Sequence, residues 1–87
     1  MKESELFNQL LGKQLRIKRH QQMKSLEELA EDVDLDDKHL GRLERGEVSK
    51  GPQSFTLYRL CRTLNINAGQ LFDEIEKEIE NKRDKRK

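Results

Sequence analysis

The sequence is poor in the residues that build disulfide-rich, β-sheet or membrane proteins. A single cysteine excludes a disulfide within the chain and favours a reducing, cytoplasmic location. Tryptophan is absent, aromatic residues make up 5%, and one proline and five glycines leave room for few turns. No apolar run approaches the roughly 18 residues of a membrane helix, and no signal peptide is visible. These shortages favour a small all-α domain without a membrane span.

Charge is abundant instead. Charged residues make up 40% of the sequence and hydrophobic residues 32%, which amphipathic helices can accommodate because each needs only one apolar stripe. The net charge of +1 is unevenly distributed, since residues 25–37 carry seven acidic groups and no basic one. Residues 1–24 and residues 38–66 each carry six basic and two acidic groups. An anionic partner would therefore meet a local basic face and not the whole molecule.

The spacing of apolar residues predicts five helices. The first covers residues 5–22 with Ser4 as a possible N-cap, and the fourth covers residues 54–64. Ser25 and Glu28 form a capping box, which opens the second helix.

Polar residues and a glycine mark the remaining helix ends. Asp34 ends the second helix, because aspartate tolerates the left-handed conformation better than most residues. Asp36 caps the third helix and Gly46 stops it, while Asn67 caps the fifth. We predict one domain over residues 1–80, followed by a charged, frayed tail over residues 81–87.

The second and third helices, with the short turn between them, form a helix-turn-helix over residues 25–46. Leu40 and Leu43 lie on one side of the third helix, which faces the interior of the protein. Its opposite side carries Asp37, Lys38, Gly41, Arg42 and Arg45.

The stretch "LGKQLRIKR…SLEELAEDVDLDDKHLGRLERGE…P…LYRLCRTLNINAGQLF", from Leu11 to Phe72, resembles the phage-repressor (lambda-type, XRE) helix-turn-helix family. The resemblance implies an all-α, five-helix lambda-repressor-like DNA-binding domain, here with an extended C-terminal helix. It also implies that the third helix lies in the major groove of double-stranded DNA.

Roles of individual residues follow from the resemblance. The positions that contact bases in the family correspond to Asp37, Lys38, Gly41 and Arg42. Those that contact phosphates correspond to Ser25, Leu26, Arg45, Lys50 and Gly51. Arg19 and Glu44 match a recurrent buried ion pair between the first and third helices. Because Leu26 stands where the family often has glutamine, we expect its phosphate contact to involve the backbone alone.

Asp37 is the one acid of the turn region that projects toward the bases. Its carboxylate could accept a hydrogen bond from cytosine N4. It would also repel phosphates, which disfavours non-specific binding. We therefore expect weak non-specific affinity and a strong dependence on specific contacts.

The stripe of Leu71, Ile75 and Ile79 on the fifth helix has two interpretations. It could complete the core. Since Ile75 and Ile79 lie beyond the family's usual last packing position, the stripe could instead form a self-complementary dimer patch, which is our expectation. A homodimer would bind a roughly palindromic operator.

The predicted function is a sequence-specific DNA-binding transcriptional regulator, a repressor that occludes a promoter. The alternative is a protein-binding adaptor or antitoxin-type module with the same fold, favoured by the acidic segment, and a regulatory protein partner is also possible. An enzyme is not expected, because no glycine-rich phosphate loop, metal cluster or activated nucleophile is recognisable. No cofactor or metal is expected: His20 and His39 lack metal-ligand spacing, and Cys61 is expected in the core.

Overall fold

The computed structural model describes residues 2–84, and this part of the chain forms five α-helices without a strand. They are α1 (Glu3–Gln21), α2 (Leu26–Asp32), α3 (Asp37–Glu44), α4 (Ser54–Thr63) and α5 (Ala68–Asp84). The predicted all-α, five-helix architecture is confirmed. No helix within these residues is both long enough and apolar enough to span a bilayer.

Two of the predicted helix starts are confirmed in atomic detail. Ser25 Oγ accepts a hydrogen bond from the Glu28 backbone N–H at 3.0 Å, and Glu28 Oε1 accepts one from the Ser25 N–H at 3.0 Å. These bonds favour the carboxylate form, so the pKa of Glu28 lies below its usual value. At the start of α5, Asn67 Oδ1 accepts a hydrogen bond from the Gln70 N–H at 3.0 Å.

Two other predicted caps are wrong or incomplete. α1 begins at Glu3, so Ser4 lies inside the helix and does not cap it. Two acidic residues in its first turn complement the helix dipole there without a side-chain cap. Asp36 does occupy the N-cap position of α3, but its side chain accepts no capping hydrogen bond. Its contribution is therefore limited to its charge.

In the helix-turn-helix, a residue with left-handed backbone follows each of the two helices. Asp34 has a φ of 57° and follows Val33, the C-cap residue of α2, so the chain leaves the helix there, as predicted. After α3, Gly46 has a φ of 71°. Its N–H donates to the Leu43 carbonyl at 3.1 Å, and the Glu47 N–H donates to the Arg42 carbonyl at 2.9 Å. This pair of bonds is a Schellman motif, which satisfies the last carbonyls of α3.

The five helices enclose one apolar core. Its buried members are Leu10, Leu11, Leu15, Leu29, Ala30, Val33, Leu40, Leu43, Leu60, Cys61, Leu64, Leu71, Ile75 and Ile79. Burial of Cys61 confirms its predicted place and raises the pKa of its thiol.

The apolar stripe of α5 belongs to this core and is not a surface patch. Leu71 and Ile75 are each 1% exposed and Ile79 is 8% exposed, because α5 packs along α1. The predicted dimer patch at these residues is therefore wrong, since their side chains have no free surface to offer a second copy. Of the predicted frayed tail, residues 81–84 belong to α5. Residues 85–87 lie outside the described part of the chain.

Candidate nucleic-acid interface

The outer side of α3 and the start of α2 form a shallow groove of about 500 Å³. Its lining comprises Leu26, Asp36, Asp37, Lys38, Gly41, Arg42 and Arg45. Lys38 and Arg42 are exposed and Asp37 is half-buried. The fold thus brings together the four residues predicted to contact bases and two of those predicted to contact phosphates.

Gly41 forms the floor of the groove. The residue is buried, and a Cβ atom built there would lie 3.2 Å from Arg45 Nη1 and 3.5 Å from Leu26 Cδ2. These neighbours are side-chain ends, so the missing Cβ leaves space between Leu26 and Arg45. A molecule in the groove could therefore contact Gly41 only through its backbone.

Arg45 already has an anionic partner within the chain. Its Nε donates to Glu47 Oε2 at 3.0 Å, and the two side chains are 56% and 53% exposed. Their hydrogen bond lowers the pKa of Glu47 and raises the pKa of Arg45. A phosphate approaching Arg45 must therefore compete with this carboxylate.

This contact was not predicted from the sequence, because residues two apart do not face each other on a helix. Arg45 and Glu47 meet because α3 has ended at Glu44 and Gly46 turns the chain.

The start of α2 has a backbone suited to anions but few available side-chain groups. Ser25 Oγ is engaged in the capping box, and Leu26 packs partly against the core. The first N–H groups of a helix lack intrahelical acceptors and lie at the positive end of the dipole. A phosphate contact here would thus be made by backbone N–H groups.

The loop after α3 is fastened to α1. Asn8 Nδ2 donates to the Ser49 carbonyl at 3.1 Å, and the Gly51 N–H donates to the Val48 carbonyl at 2.9 Å. Lys50, between these anchored residues, is exposed. The loop therefore presents a cation on a backbone that is held at both sides, beyond the end of α3.

A buried ion pair braces α3 against α1, as the family resemblance implied. Arg19 Nε donates to Glu44 Oε2 at 2.8 Å and Nη2 donates to Oε1 at 2.9 Å. Their side chains are 10% and 4% exposed. The hydrogen bond to Glu44 raises the pKa of Arg19. Arg19 Nη1 also donates to the Lys24 carbonyl at 3.0 Å, so one guanidinium joins α1, the turn before α2, and α3.

Asp32 of the acidic segment contacts two cationic residues from outside the segment, one through its carboxylate and one through its backbone carbonyl. Lys24 Nζ lies 2.6 Å from Asp32 Oδ2, and Arg59 Nη2 donates to the Asp32 carbonyl at 3.0 Å. His20 is exposed and His39 half-buried. Within residues 2–84, no three acidic, cysteine or histidine side chains are grouped so as to hold a metal ion.

Comparisons with known proteins agree with this geometry. A family model described as Helix-turn-helix matches residues 13–71. A crystal structure of the clp gene regulator ClgR from Corynebacterium glutamicum aligns with a TM-score of 0.79 at 26% identity, covering 92% of this chain and 83% of that one. A second ClgR structure gives 0.72 at 29% identity, covering 83% and 91%. No curated protein matches significantly. The chain belongs to the helix-turn-helix family, of the XRE or lambda-repressor type.

Proposed function

We propose that this protein is a sequence-specific, double-stranded DNA-binding transcriptional regulator whose α3 enters the major groove. The observation that carries the proposal is the exposed pair of cations, Lys38 and Arg42, beside an open groove on a helix that is braced from behind. Membership of the helix-turn-helix family and the likeness to ClgR support a DNA-binding regulator. Such proteins are not typically enzymes.

In this proposal α3 makes the base contacts. Arg42 can pair bidentately with guanine O6 and N7, and Asp37 can accept a hydrogen bond from cytosine N4. Lys38 adds a donor on the same exposed side, and Gly41 permits close approach of the backbone. The start of α2 would hold phosphates on one side of the groove, and Lys50 and Gly51, in the loop after α3, would hold them on the other.

We further propose that the protein acts as a homodimer on a roughly palindromic operator and represses by covering a promoter. α3 has eight residues and is therefore roughly 12 Å long. A helix of this length reaches few base pairs. Two copies on half-sites about 34 Å apart would supply the specificity that one helix lacks.

Replacing Arg42 with alanine is expected to cost about 1–3 kcal/mol of affinity, concentrated at one base position. Lys50→Ala should weaken binding to all sequences alike and reduce the salt dependence. Both follow because Arg42 lines the groove, whereas Lys50 is exposed on the loop after α3. Selection of sites from random duplex DNA, followed by titrations at several salt concentrations, measures both effects.

The second candidate function is a protein-binding adaptor or antitoxin-type module. The acidic residues of 25–37 favour it, because a dense negative surface repels DNA and attracts basic protein segments. If neither Arg42→Ala nor Lys50→Ala alters binding to any selected DNA, the regulator proposal fails and this candidate replaces it.

Glu47→Gln is expected to tighten binding to all DNA sequences by about two- to fivefold, the range of an exposed ion pair. Removing the carboxylate frees Arg45 to contact a phosphate. The slope of log K against log salt should therefore steepen by about 0.9.

The matched control is Glu31→Gln, which removes the same charge from the exposed surface of α2. If this control changes affinity and slope as much as Glu47→Gln does, general charge and not the release of Arg45 explains the result.

A further inference from the structure

α4 carries an aromatic pair on its outer side. Phe55 is 67% exposed and Tyr58 is 54% exposed, and their rings stack with centroids 6.1 Å apart and planes 29° apart. Phe72, by contrast, is less exposed and packs on Phe7. Exposed aromatic side chains that stack on one helix face commonly mark an interaction surface.

The same face of α4 changes from aromatic to cationic along its length. Arg62 lies one helical turn beyond Tyr58, and its guanidinium carbon is 5.9 Å from the Tyr58 ring centroid. α4 contains no acidic residue. Its opposite side, with Leu60 and Cys61, is buried in the core. The outward face, which we call the α4 patch, therefore consists of Phe55, Tyr58 and Arg62.

We infer that the α4 patch binds the α4 patch of a second copy of this chain, with the two helices antiparallel. Antiparallel packing about a two-fold axis near Tyr58 places Phe55 of each copy against Arg62 of the other. Each contact joins an exposed ring to a guanidinium, which is a favourable cation–π pairing. The symmetry makes this contact twice, as isologous dimers require.

A second copy suits this surface better than the other possible occupants. The patch contains both halves of the pairing, rings at one end and a cation at the other, so it is complementary to itself when reversed. An acidic protein segment would satisfy Arg62 but leave the rings of Phe55 and Tyr58 in water. DNA would meet the same difficulty, because the exposed rings occupy the first half of the face.

The inference rests on the proposed function in one respect, since it supplies the surface for the proposed homodimer. The α4 patch takes the place of the α5 stripe as the dimer surface, because the α5 stripe is buried. Dimerisation itself needs no DNA and can be measured separately from it.

The test is sedimentation equilibrium of the full chain without DNA, between about 1 µM and 1 mM. The unchanged protein should dimerise. Phe55→Lys places two cations against each other, and Arg62→Glu removes the cation–π pairing. Each should raise the dimer dissociation constant by about tenfold or more. Ile17→Lys, at an exposed apolar position of α1, is the matched control and should leave it unchanged.

The double variant Phe55→Lys with Arg62→Glu distinguishes the antiparallel register from general damage. In that register the new ammonium of each copy faces the new carboxylate of the other, so dimerisation should return. Failure of the double variant to dimerise, or a monomeric unchanged protein at the highest concentration, overturns the inference. Phe55→Lys that tightens DNA binding without changing the oligomeric state also overturns it, and assigns the patch to DNA.

Titration of selected DNA with the same variants separates the two proposals. A monomer that binds selected DNA defeats the inference and leaves the regulator proposal standing. A dimer that binds no DNA supports the inference and defeats the regulator proposal.

Discussion

Glu44→Ala is expected to lower the free energy of unfolding by about 3 kcal/mol. The substitution removes two of the three acceptors of the Arg19 guanidinium, which stays almost wholly enclosed with one remaining bond to the Lys24 carbonyl. An unpaired cation in such a place costs much more than the same cation in water. Small domains are stable by only about 5–15 kcal/mol, so the loss is a large fraction of the total.

Urea denaturation followed by circular dichroism measures this effect, and the chain offers a matched control. Glu47→Ala also removes a carboxylate bound to an arginine, but both partners there are more than half exposed. Its expected effect on the free energy of unfolding is therefore small, because water screens the exposed pair. Equal effects of the two substitutions would contradict a special role for burial of the pair between Arg19 and Glu44.

A double variant, Arg19→Met with Glu44→Leu, tests whether the cost comes from the stranded charge. It fills similar volumes with apolar atoms and leaves no buried charge. We expect it to recover most of the stability that Glu44→Ala loses. If it is as unstable as Glu44→Ala, packing around the pair and not its charge dominates.

The local chemistry of helix ends was the most predictable part of the fold. The capping box at Ser25, the turn residue Asp34, the stop at Gly46 and the cap Asn67 depend on residues within a few positions of each other. Their geometry is therefore contained in short stretches of sequence. Ser4 and Asp36 were the exceptions. Acidic residues on either side of Ser4 stabilise the start of α1 without a cap, and Asp36 occupies the N-cap position of α3 without accepting a capping hydrogen bond.

Features that depend on distant segments were less predictable. The stripe ending at Ile79 has the same spacing whether α1 of its own chain or α5 of another copy covers it, so the spacing could not identify the neighbour. The pair of Arg19 and Glu44 was anticipated through the family resemblance, because 25 positions separate the two residues. The exposed aromatic pair of α4 was not predicted, because the spacing of apolar residues identifies only the inward side of that helix.

The candidate site shows the same division. The groove-facing side of α3 could be assigned from the family resemblance and from helical geometry. The competition of Glu47 for Arg45 could not, because it arises after the helix has ended. Sequence therefore predicted which residues form the groove but not which of them are already engaged within the chain.

Gly12→Ala is expected to destabilise the protein by about 2–3 kcal/mol, the upper part of the range for overpacking. In most helix interiors this substitution stabilises by about 1 kcal/mol. Here a Cβ atom would lie 2.3 Å from the Leu43 carbonyl oxygen and 2.6 Å from the Glu44 carbonyl oxygen. Both atoms belong to the backbone of α3, so no side chain can move aside and α1 and α3 must separate.

Gly69→Ala is the matched control, because Gly69 is also helical. There the nearest atom to a new Cβ is the side-chain oxygen of Asn67 at 3.3 Å. We expect its effect to stay within about 0.5 kcal/mol. Helix propensity alone would have both substitutions stabilise the protein. A clear loss of stability for Gly12→Ala alone would therefore identify the close contact between α1 and α3 as the cause.

Separation of α1 from α3 would also displace the groove-facing side of α3. Glu44 would move away from Arg19, and the groove containing Arg42 would shift relative to the loop containing Lys50. Gly12→Ala should therefore weaken binding to selected DNA even where the protein remains folded, whereas Gly69→Ala should leave it unchanged. Thermal melts and DNA titrations of both variants measure the two effects, and a Gly12→Ala protein that is more stable than the unchanged one would show that α1 and α3 do not approach so closely.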